Sequence, residues 1–279
     1  MSDTQTLSAG LRSTPPVEPA WCPGCGNFPI LKSFDKALDA AGLDRHKVVL
    51  VSGIGQAAKL PHYVTRPVNV FNGLHGRAVP PATAIKLANH ELEVIITSGD
   101  GDMYGEGGNH LLHAMRRNVG VKAFVHNNQV YGLTKGQASP TSDAGTPTKL
   151  QSYGVINLAF NPIAAAISQQ CSFVARTFAG MPDHMEQVML AALQHKGGFA
   201  LVDILQPCVT FNKINTYKWY KERVRPLEDG YDPFDRAAAL EQAFIWGEEI
   251  PIGIIYRNDR VSYESRLPVL KDGPLVSRV

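Results

Sequence analysis

The stretch VIITSGDGDMYGEGGNH spans residues 94–110 and decides how the rest of the chain is interpreted. Four apolar or β-branched residues at 94–97 predict a buried strand. The glycines and aspartates that follow predict a tight loop, and a helical pattern begins at Gly108. Strand, loop and helix in this order make half of a βαβ unit, in which successive strands are parallel. We therefore expect an α/β fold with its polar chemistry in the loop after this strand.

The same alternation continues on both sides of this stretch. Short apolar runs predict further strands at 48–51, 121–125, 173–175 and 200–205. Helical patterns lie at 78–89, 108–118, 162–170 and 182–196, with Asn161 as the N-cap of the third helix and Gly197 after the fourth. This pattern is typical of a doubly wound, mostly parallel sheet. Ligands bind such sheets at the carboxyl ends of the strands, which here are the loops after residues 51, 97 and 125.

The chain divides into three parts. Residues 1–20 are expected to form an N-terminal extension, and residues 21–209 hold the alternating strands and helices. Residues 210–279 are rich in Tyr, Trp, Pro and Arg and lose this alternation. We interpret this last part as an extended C-terminal arm that packs on a partner subunit.

The composition excludes several classes of protein. With 44% hydrophobic and 19% charged residues, the 279-residue chain is an ordinary globular protein. Lysines and arginines total 27 against 25 aspartates and glutamates, without a dense basic run, which argues against a nucleic-acid partner. The sequence shows neither a signal peptide nor an apolar run close to the roughly 20 residues of a membrane span. We expect a cytoplasmic protein without a membrane partner.

Two loops at the expected binding edge carry oxygen ligands. Asp100 and Asp102 stand between glycines after one strand, and Asn127 and Asn128 follow the next strand along the chain. Carboxylate and amide oxygens suit Mg²⁺, which keeps further positions for a diphosphate and water. The glycine-rich turn after Asp102 leads into a helix whose N-terminus can offer N–H groups to the same diphosphate. The alternative is that both motifs serve only as turns.

A second candidate site is WCPGCGNF at residues 21–28. Cys22 and Cys25 lie on one tight turn, which is a typical arrangement for holding a metal. The chain has four cysteines, and in a reducing compartment these favour metal ligation or burial over disulfides. Zinc is one alternative, although the sequence has no second cysteine pair at zinc-finger spacing and no nearby histidine.

Taken together, GDGD and NNQVYG look like the thiamine diphosphate motif. The segments SGIG, GLHGRAVPPAT, HAMRRN and YGLTKGQASPTS around them resemble the β subunit of 2-oxoacid:ferredoxin oxidoreductases, from about Trp21 to about Val224. The resemblance implies that the Asp100 and Asn128 side chains and the Val130 carbonyl bind Mg²⁺. It also implies a set of loop residues around the coenzyme, at its diphosphate, beside its ring or along its cleft: Ile54, Gly55, His75, Gly76, Arg77, Gly99, Gly101, Asp102, Leu133 and Thr134.

The resemblance further implies a reaction and its partners. A 2-oxoacid is decarboxylated on thiamine diphosphate, an iron–sulfur cluster removes electrons one at a time for ferredoxin, and coenzyme A releases the acyl group as a thioester. The direction is oxidation or reductive carboxylation. The family carries the glutamate that activates the coenzyme on its α subunit, so no glutamate of this chain, including Glu106, is assigned that role. We therefore expect an αβ heterodimer, or a dimer of such pairs.

Two residues are expected to act in catalysis. Lys59, four positions after Gly55, is predicted to pair with the distal carboxylate of a dicarboxylic substrate such as 2-oxoglutarate. Lys135 competes for that role or for a phosphate, and either lysine is alternatively a solvated surface residue. His75 is expected in the cleft, the alternative being a hydrogen-bonded histidine of the core.

The resemblance also implies four cysteine ligands for a [4Fe–4S] cluster. Cys22, Cys25 and Cys208 match three of them, but Gln56 stands where the family has the remaining cysteine. Cys171 is predicted to be a small buried hydrophobe instead of a substitute. We expect a [4Fe–4S] cluster on three cysteines with an atypical fourth ligand, or a [3Fe–4S] form. The alternatives are a non-redox thiamine diphosphate enzyme without a cluster and a scaffolding subunit without turnover.

Overall fold

A large sheet forms the centre of the computed structural model, which describes residues 17–65 and 67–278. Its strands are β1 (Val48–Ser52), β2 (Asn69–Asn72), β3 (Glu93–Gly99), β4 (Val121–Asn127), β7 (Phe173–Phe178), β8 (Ala200–Leu205), β9 (Val224–Pro226) and β10 (Ile250–Arg257). They lie in the order β2-β1-β3-β4-β8-β7-β10-β9. Two short strands, β5 (Val130–Tyr131) and β6 (Gln137–Ala138), form a separate antiparallel pair.

Helices cover both faces of this sheet. They are α1 (Asn27–Ala40), α2 (Val79–Ala88), α3 (Gly108–Arg117), α4 (Pro162–Ser168), α5 (Pro182–Gln194), α6 (Tyr217–Arg223) and α7 (Arg236–Phe244). Residues of α1 and α5 pack with Val48 and Leu50 in one apolar cluster. Residues of α2, α3, α4 and α7 pack with Val49 and Val51 in another. Successive β1 side chains thus point to opposite, equally buried faces, as a parallel sheet between two helical layers requires.

Strand pairing confirms the predicted fold class. Strands β2, β1, β3, β4, β8 and β7 pair with their neighbours in parallel. The predicted N-cap is also confirmed, because Asn161 Oδ1 accepts a hydrogen bond from Ala164 N at 3.0 Å at the start of α4. The sequence pattern did not predict the helices α1, α6 and α7 or the strands β2, β5, β6, β9 and β10. All four residues of β2 are exposed, so this edge strand shows no alternation between apolar and polar positions.

The C-terminal part differs from the extended arm that we predicted. Residues 210–279 contain α6, α7, β9 and β10, and β10 joins the main sheet by pairing antiparallel with β7. The apolar side chains of Ile250, Ile252 and Ile255 are buried there, which stabilises this sheet extension. The segment IPIGIIYR contains a proline and a glycine, two residues that weaken a strand prediction. Packing of this part on a partner subunit stays a prediction.

Two expectations concern the ends of the chain and the membrane. Residues 1–16 of the predicted N-terminal extension lie outside the described residues. Across residues 17–65 and 67–278, no helix combines the length and the apolar character needed to cross a bilayer.

The register of the sheet brings three loops together. Gly99 at the end of β3 pairs with His126, and Asn127 at the end of β4 pairs with Leu205. The carboxyl ends of β3, β4 and β8 are therefore nearly level. As a result, Asp100, Asn128 and the Gln206–Cys208 turn emerge side by side.

Candidate active site

A cleft lies at this edge, between the loops that follow β1, β3 and β4. It has a volume of about 100 Å³. Most of the predicted coenzyme and magnesium residues line it, together with Gln56, Ala57, Tyr131 and Gly132: Ile54, Gly55, His75, Gly99, Asp100, Gly101, Asp102, Asn128, Val130, Leu133 and Thr134. Eleven of the thirteen residues predicted to bind the coenzyme or magnesium thus lie together at the binding edge of a parallel sheet.

Asp100 is the buried carboxylate of this cleft. Only 1% of the residue is exposed, directly before a π-helical turn at Gly101–Glu106. Its Oδ2 accepts hydrogen bonds from Ser139 Oγ at 2.6 Å and Thr141 Oγ1 at 2.8 Å. Burial raises the pKa of Asp100 to about 6, although these hydroxyls act in the opposite direction. The Asp100 carboxylate is thus buried and held by two hydroxyl groups, which fits the predicted metal ligand.

Asn128 and Val130 form the opposite wall through a tight turn. Gln129 between them has a φ of 60°, in the left-handed region. Asn128 Oδ1 accepts a hydrogen bond from Val130 N at 3.1 Å, which leaves a second lone pair on that oxygen. Asn212 Nδ2 donates to the Asn128 carbonyl at 3.3 Å and holds the turn from the other side. Oxygen donors from both sides of the cleft suit Mg²⁺.

Asp102, predicted beside the diphosphate, makes hydrogen bonds to three neighbouring segments of the chain, and its place at the diphosphate stays a prediction. Its Oδ1 accepts from Ile54 N at 3.0 Å and Gly76 N at 2.8 Å, and its Oδ2 accepts from Ser98 Oγ at 2.7 Å. The carboxylate therefore ties the loop after β1 and the loop before α2 to β3. Gly53 is needed for this contact, because a Cβ at that position would collide with the Asp102 carboxylate.

His75 lies at the mouth of the cleft, where its exposure excludes the alternative of a core histidine. Its Nε2 is 3.6 Å from Asp102 Oδ1 and 3.4 Å from Glu106 Oε2. The Tyr131 hydroxyl donates a hydrogen bond to Glu106 Oε2 at 3.0 Å. The pKa of Tyr131 is raised, chiefly by burial and in addition by the neighbouring Glu106. His75, Glu106 and Tyr131 thus form one polar group beside the cleft.

Three predicted residues, all in the described part of the chain, lie outside the lining of the cleft: Gly76, Arg77 and Lys59. Gly76 donates its N–H to Asp102 Oδ1 at 2.8 Å, and its contact with the coenzyme stays a prediction. Arg77 is exposed, with its Nη1 2.6 Å from His110 Nε2. Lys59 lies half-buried on the 3₁₀ helix Ala57–His62, which follows the loop after β1. Its catalytic role stays a prediction.

A buried polar network behind Asp100 was missed by the sequence analysis. Thr141 Oγ1 lies 2.8 Å from Asn127 Oδ1, and Asn127 Nδ2 donates to Asp203 Oδ1 at 3.1 Å. Arg176 Nε is 3.8 Å from Asp203 Oδ2, and both side chains are almost wholly buried. The network therefore contains two opposite charges that are buried next to each other. Hydroxyls in a loop far along the chain give no sequence signal of such contacts.

The predicted cluster ligands gather in a neighbouring pocket. Cys22, Cys25, Cys208 and Gln56 all line it, whereas Cys171 is buried elsewhere, as predicted, and burial raises its pKa to about 12. Burial raises the pKa of Cys25, and Cys208 and Cys22 add to this effect through their charges. The three thiols line one pocket, and this donor set fits a cluster.

The cysteine pocket was also compared with the geometry of a site for a single metal ion. Within residues 17–65 and 67–278, no three His, Cys, Asp or Glu side chains are grouped to hold one metal ion. A cluster places each sulfur on a different iron, so its ligands stand farther apart than those of a single ion. Gln56, Asn128 and Gly132 line both this pocket and the cleft, so the two sites share a wall.

A buried aspartate and an Asn-Asn turn at the edge of a parallel sheet define a thiamine diphosphate-binding domain, and comparisons with known families agree. Residues 48–204 match the family model of the C-terminal TPP binding domain of thiamine pyrophosphate enzymes. Residues 208–272 match the model of the C-terminal part of the pyruvate ferredoxin oxidoreductase beta subunit. Together the two models cover most of the chain.

Two relatives identify the family of enzymes to which the chain belongs. The 2-oxoacid:ferredoxin oxidoreductase subunit beta of Saccharolobus solfataricus is 47% identical over 259 residues, covering 88% of this chain and 85% of that protein. The 2-oxoglutarate oxidoreductase subunit KorB of Mycobacterium tuberculosis is 43% identical over 209 residues, covering 75% of this chain and 55% of that protein. The chain belongs to the β subunits of 2-oxoacid:ferredoxin oxidoreductases, which act on 2-oxoacids with ferredoxin as acceptor.

A solved structure agrees with this assignment. The 2-oxoglutarate:ferredoxin oxidoreductase from Magnetococcus marinus, with 2-oxoglutarate, coenzyme A and succinyl-CoA bound, matches with a TM-score of 0.88 at 36% identity. The match covers 92% of this chain and 87% of that chain.

Proposed function

We propose that this β subunit, with an α subunit, converts 2-oxoglutarate and coenzyme A to succinyl-CoA and CO₂ and passes two electrons singly through a [4Fe–4S] cluster to ferredoxin. The observation that carries the proposal is the arrangement of the buried Asp100 and the Asn128 turn in a cleft that shares a wall with a three-cysteine pocket. The relatives named for 2-oxoglutarate and the ligands of the Magnetococcus marinus structure support the choice of substrate.

The residues of the cleft hold and orient the coenzyme. Asp100, the Asn128 side chain and the Val130 carbonyl would hold Mg²⁺, and Ser139 and Thr141 fix the direction of the Asp100 carboxylate. When bound, thiamine diphosphate supplies an electron sink for the carbanion left by loss of CO₂. The apolar side chains of Ile54 and Leu133 are exposed in the lining of the cleft and would pack against the bound coenzyme.

Electron transfer fits the shared wall. Cys22, Cys25 and Cys208 would hold the cluster on the far side of Gln56 and Asn128 from the coenzyme. The shared wall would keep the cluster close to the coenzyme, and an iron–sulfur cluster accepts electrons one at a time. A scaffolding subunit would need neither the cleft nor the cysteine pocket.

A partner subunit completes the site in this proposal. Residues 210–279 expose large apolar side chains at Phe234, Phe244 and Val261. Exposed apolar side chains on one part of a chain favour protein contact. The α subunit would supply the acidic group that activates the coenzyme.

Substitution of Asp100 tests the coenzyme site. Asp100→Ala removes the buried carboxylate and should abolish Mg²⁺-dependent binding of thiamine diphosphate in calorimetry, while the circular dichroism of the sheet is kept. The exposed Asp259→Ala serves as the control and should bind like the wild type. Equal coenzyme affinity in Asp100→Ala and wild type would contradict the assignment.

A further inference from the structure

Gln56 has a fixed place between the two sites. It lies at the N-cap of the 3₁₀ helix Ala57–His62, directly after Gly55, whose φ is 137°. The Gln56 carbonyl accepts a hydrogen bond from Trp21 Nε1 at 2.8 Å. This bond ties Gln56 to the residue next to Cys22, so the loop after β1 and the cysteine turn are held together.

Unpaired polar atoms surround the cysteine pocket. Gln56 Oε1, Gln206 Oε1 and Asn27 Nδ2 are buried and have no hydrogen-bond partner in the described part of the chain. All three residues line the pocket with the cysteines. Native proteins rarely leave buried polar atoms unpaired, so these three atoms are available to contact a group bound in the pocket.

The two glutamines have different relations to the cysteines. Gln206 Nε2 donates to Cys25 Sγ at 3.5 Å, so this side chain already serves as a donor to a ligand sulfur. Donors to ligand sulfurs tune clusters without binding iron. In the part of the chain that the structure describes, the Gln56 side chain makes no hydrogen bond to a cysteine, and its buried carbonyl oxygen is an available electron-pair donor.

We propose that Gln56 Oε1 is the fourth ligand of the cluster held by Cys22, Cys25 and Cys208. The inference rests on the cluster of the proposed function. A neutral oxygen in place of a thiolate makes the cluster less negative by one charge and places a hard ligand on one iron. That iron is then the most labile of the set, and the cluster is easier to reduce than one with four thiolates.

The test uses the αβ complex, purified anaerobically, with four forms of residue 56. Iron and sulfide are measured, followed by electron paramagnetic resonance before and after mild oxidation and by redox titration. Gln56→Ala should retain about three irons per chain where the wild type holds about four, with the signal of an oxidised [3Fe–4S] cluster. Gln56→Glu keeps an oxygen ligand and should retain the fourth iron. Gln56→Cys should resist oxidation and have a lower reduction potential.

Separate controls distinguish this inference from the proposed function. Gln206→Ala removes the donor to Cys25 and should shift the potential without loss of the fourth iron. Wild-type iron content and lability in Gln56→Ala would overturn the role of Gln56 and leave the cluster intact. A wild-type complex without iron and sulfide would overturn both the cluster and its fourth ligand. Thiamine diphosphate binding and thermal unfolding are measured on each variant. If Gln56→Ala fails to fold, the iron content and potential of Gln56→Glu are compared with those of Gln56→Cys.

Discussion

Thr141 is expected to control the affinity of the metal site, although we assign it no contact with the metal. Asp100 Oδ2 has two hydroxyl donors, Ser139 at 2.6 Å and Thr141 at 2.8 Å, and the Thr141 hydroxyl also lies 2.8 Å from Asn127 Oδ1. Thr141→Val keeps the shape but removes the hydroxyl. A hydrogen bond to a charged group contributes about 1.5–3 kcal/mol, so Mg²⁺-dependent coenzyme affinity should fall roughly ten- to a hundredfold.

Calorimetric titration of thiamine diphosphate at saturating and limiting Mg²⁺ measures this effect. Thr141→Ser restores the hydroxyl and should recover most of the affinity. Thr83→Val, on α2 and outside the cleft lining, is the matched control and should behave like the wild type. Wild-type affinity in Thr141→Val would refute the claim that this hydroxyl orients Asp100.

Three further predictions concern specificity, pH and packing. Lys59→Ala should raise the KM for 2-oxoglutarate roughly tenfold or more and should change the KM for pyruvate little. Lys135→Ala is the comparison. An equal rise for both acids would show that Lys59 serves the fold or the coenzyme. Burial lowers the pKa of His195 to about 4, so from pH 6.5 down to 4 the unfolded chain binds a proton that the folded chain does not, and the free energy of unfolding should fall by up to about 1.4 kcal/mol per pH unit. His195→Gln should flatten this fall in denaturant titrations at pH 7 and 5, the exposed His46→Gln should not, and equal slopes would remove His195 as the cause. Gly53→Ala places a Cβ against the Asp102 carboxylate and should destabilise the protein by about 1–3 kcal/mol in thermal unfolding. The control Gly108→Ala places its Cβ in open space and should leave the stability unchanged. An unchanged melting temperature for Gly53→Ala would show that Asp102 can move freely.

Local pattern was sufficient for the central strands and for the position of the cleft. The runs at 48–51, 94–97 and 121–125 are apolar because both faces of their strands are buried, and that burial is visible in the sequence. The polar residues that directly follow them, Asp100 and Asn128, had to emerge at one edge. Their proximity follows from parallel pairing alone.

The supporting contacts could not be predicted in this way. Ser139 and Thr141 reach Asp100 only because the chain returns over the cleft after β6, and that path is set by tertiary packing. Asp102 is placed beside the diphosphate by the family resemblance alone, and that placement stays a prediction. Its bonds to Ile54 and Gly76 come from two other loops, whose approach to β3 has no local signature.

We propose that this chain, together with an α subunit, oxidises 2-oxoglutarate through a coenzyme held by Asp100. The most direct measurement is the anaerobic reduction of ferredoxin by the purified αβ complex, with 2-oxoglutarate and coenzyme A supplied together or singly. We expect rapid reduction that requires both compounds and that disappears in the complex carrying Asp100→Ala. Reduction that proceeds equally well in Asp100→Ala, or an active complex that does not respond to 2-oxoglutarate with coenzyme A, would contradict it.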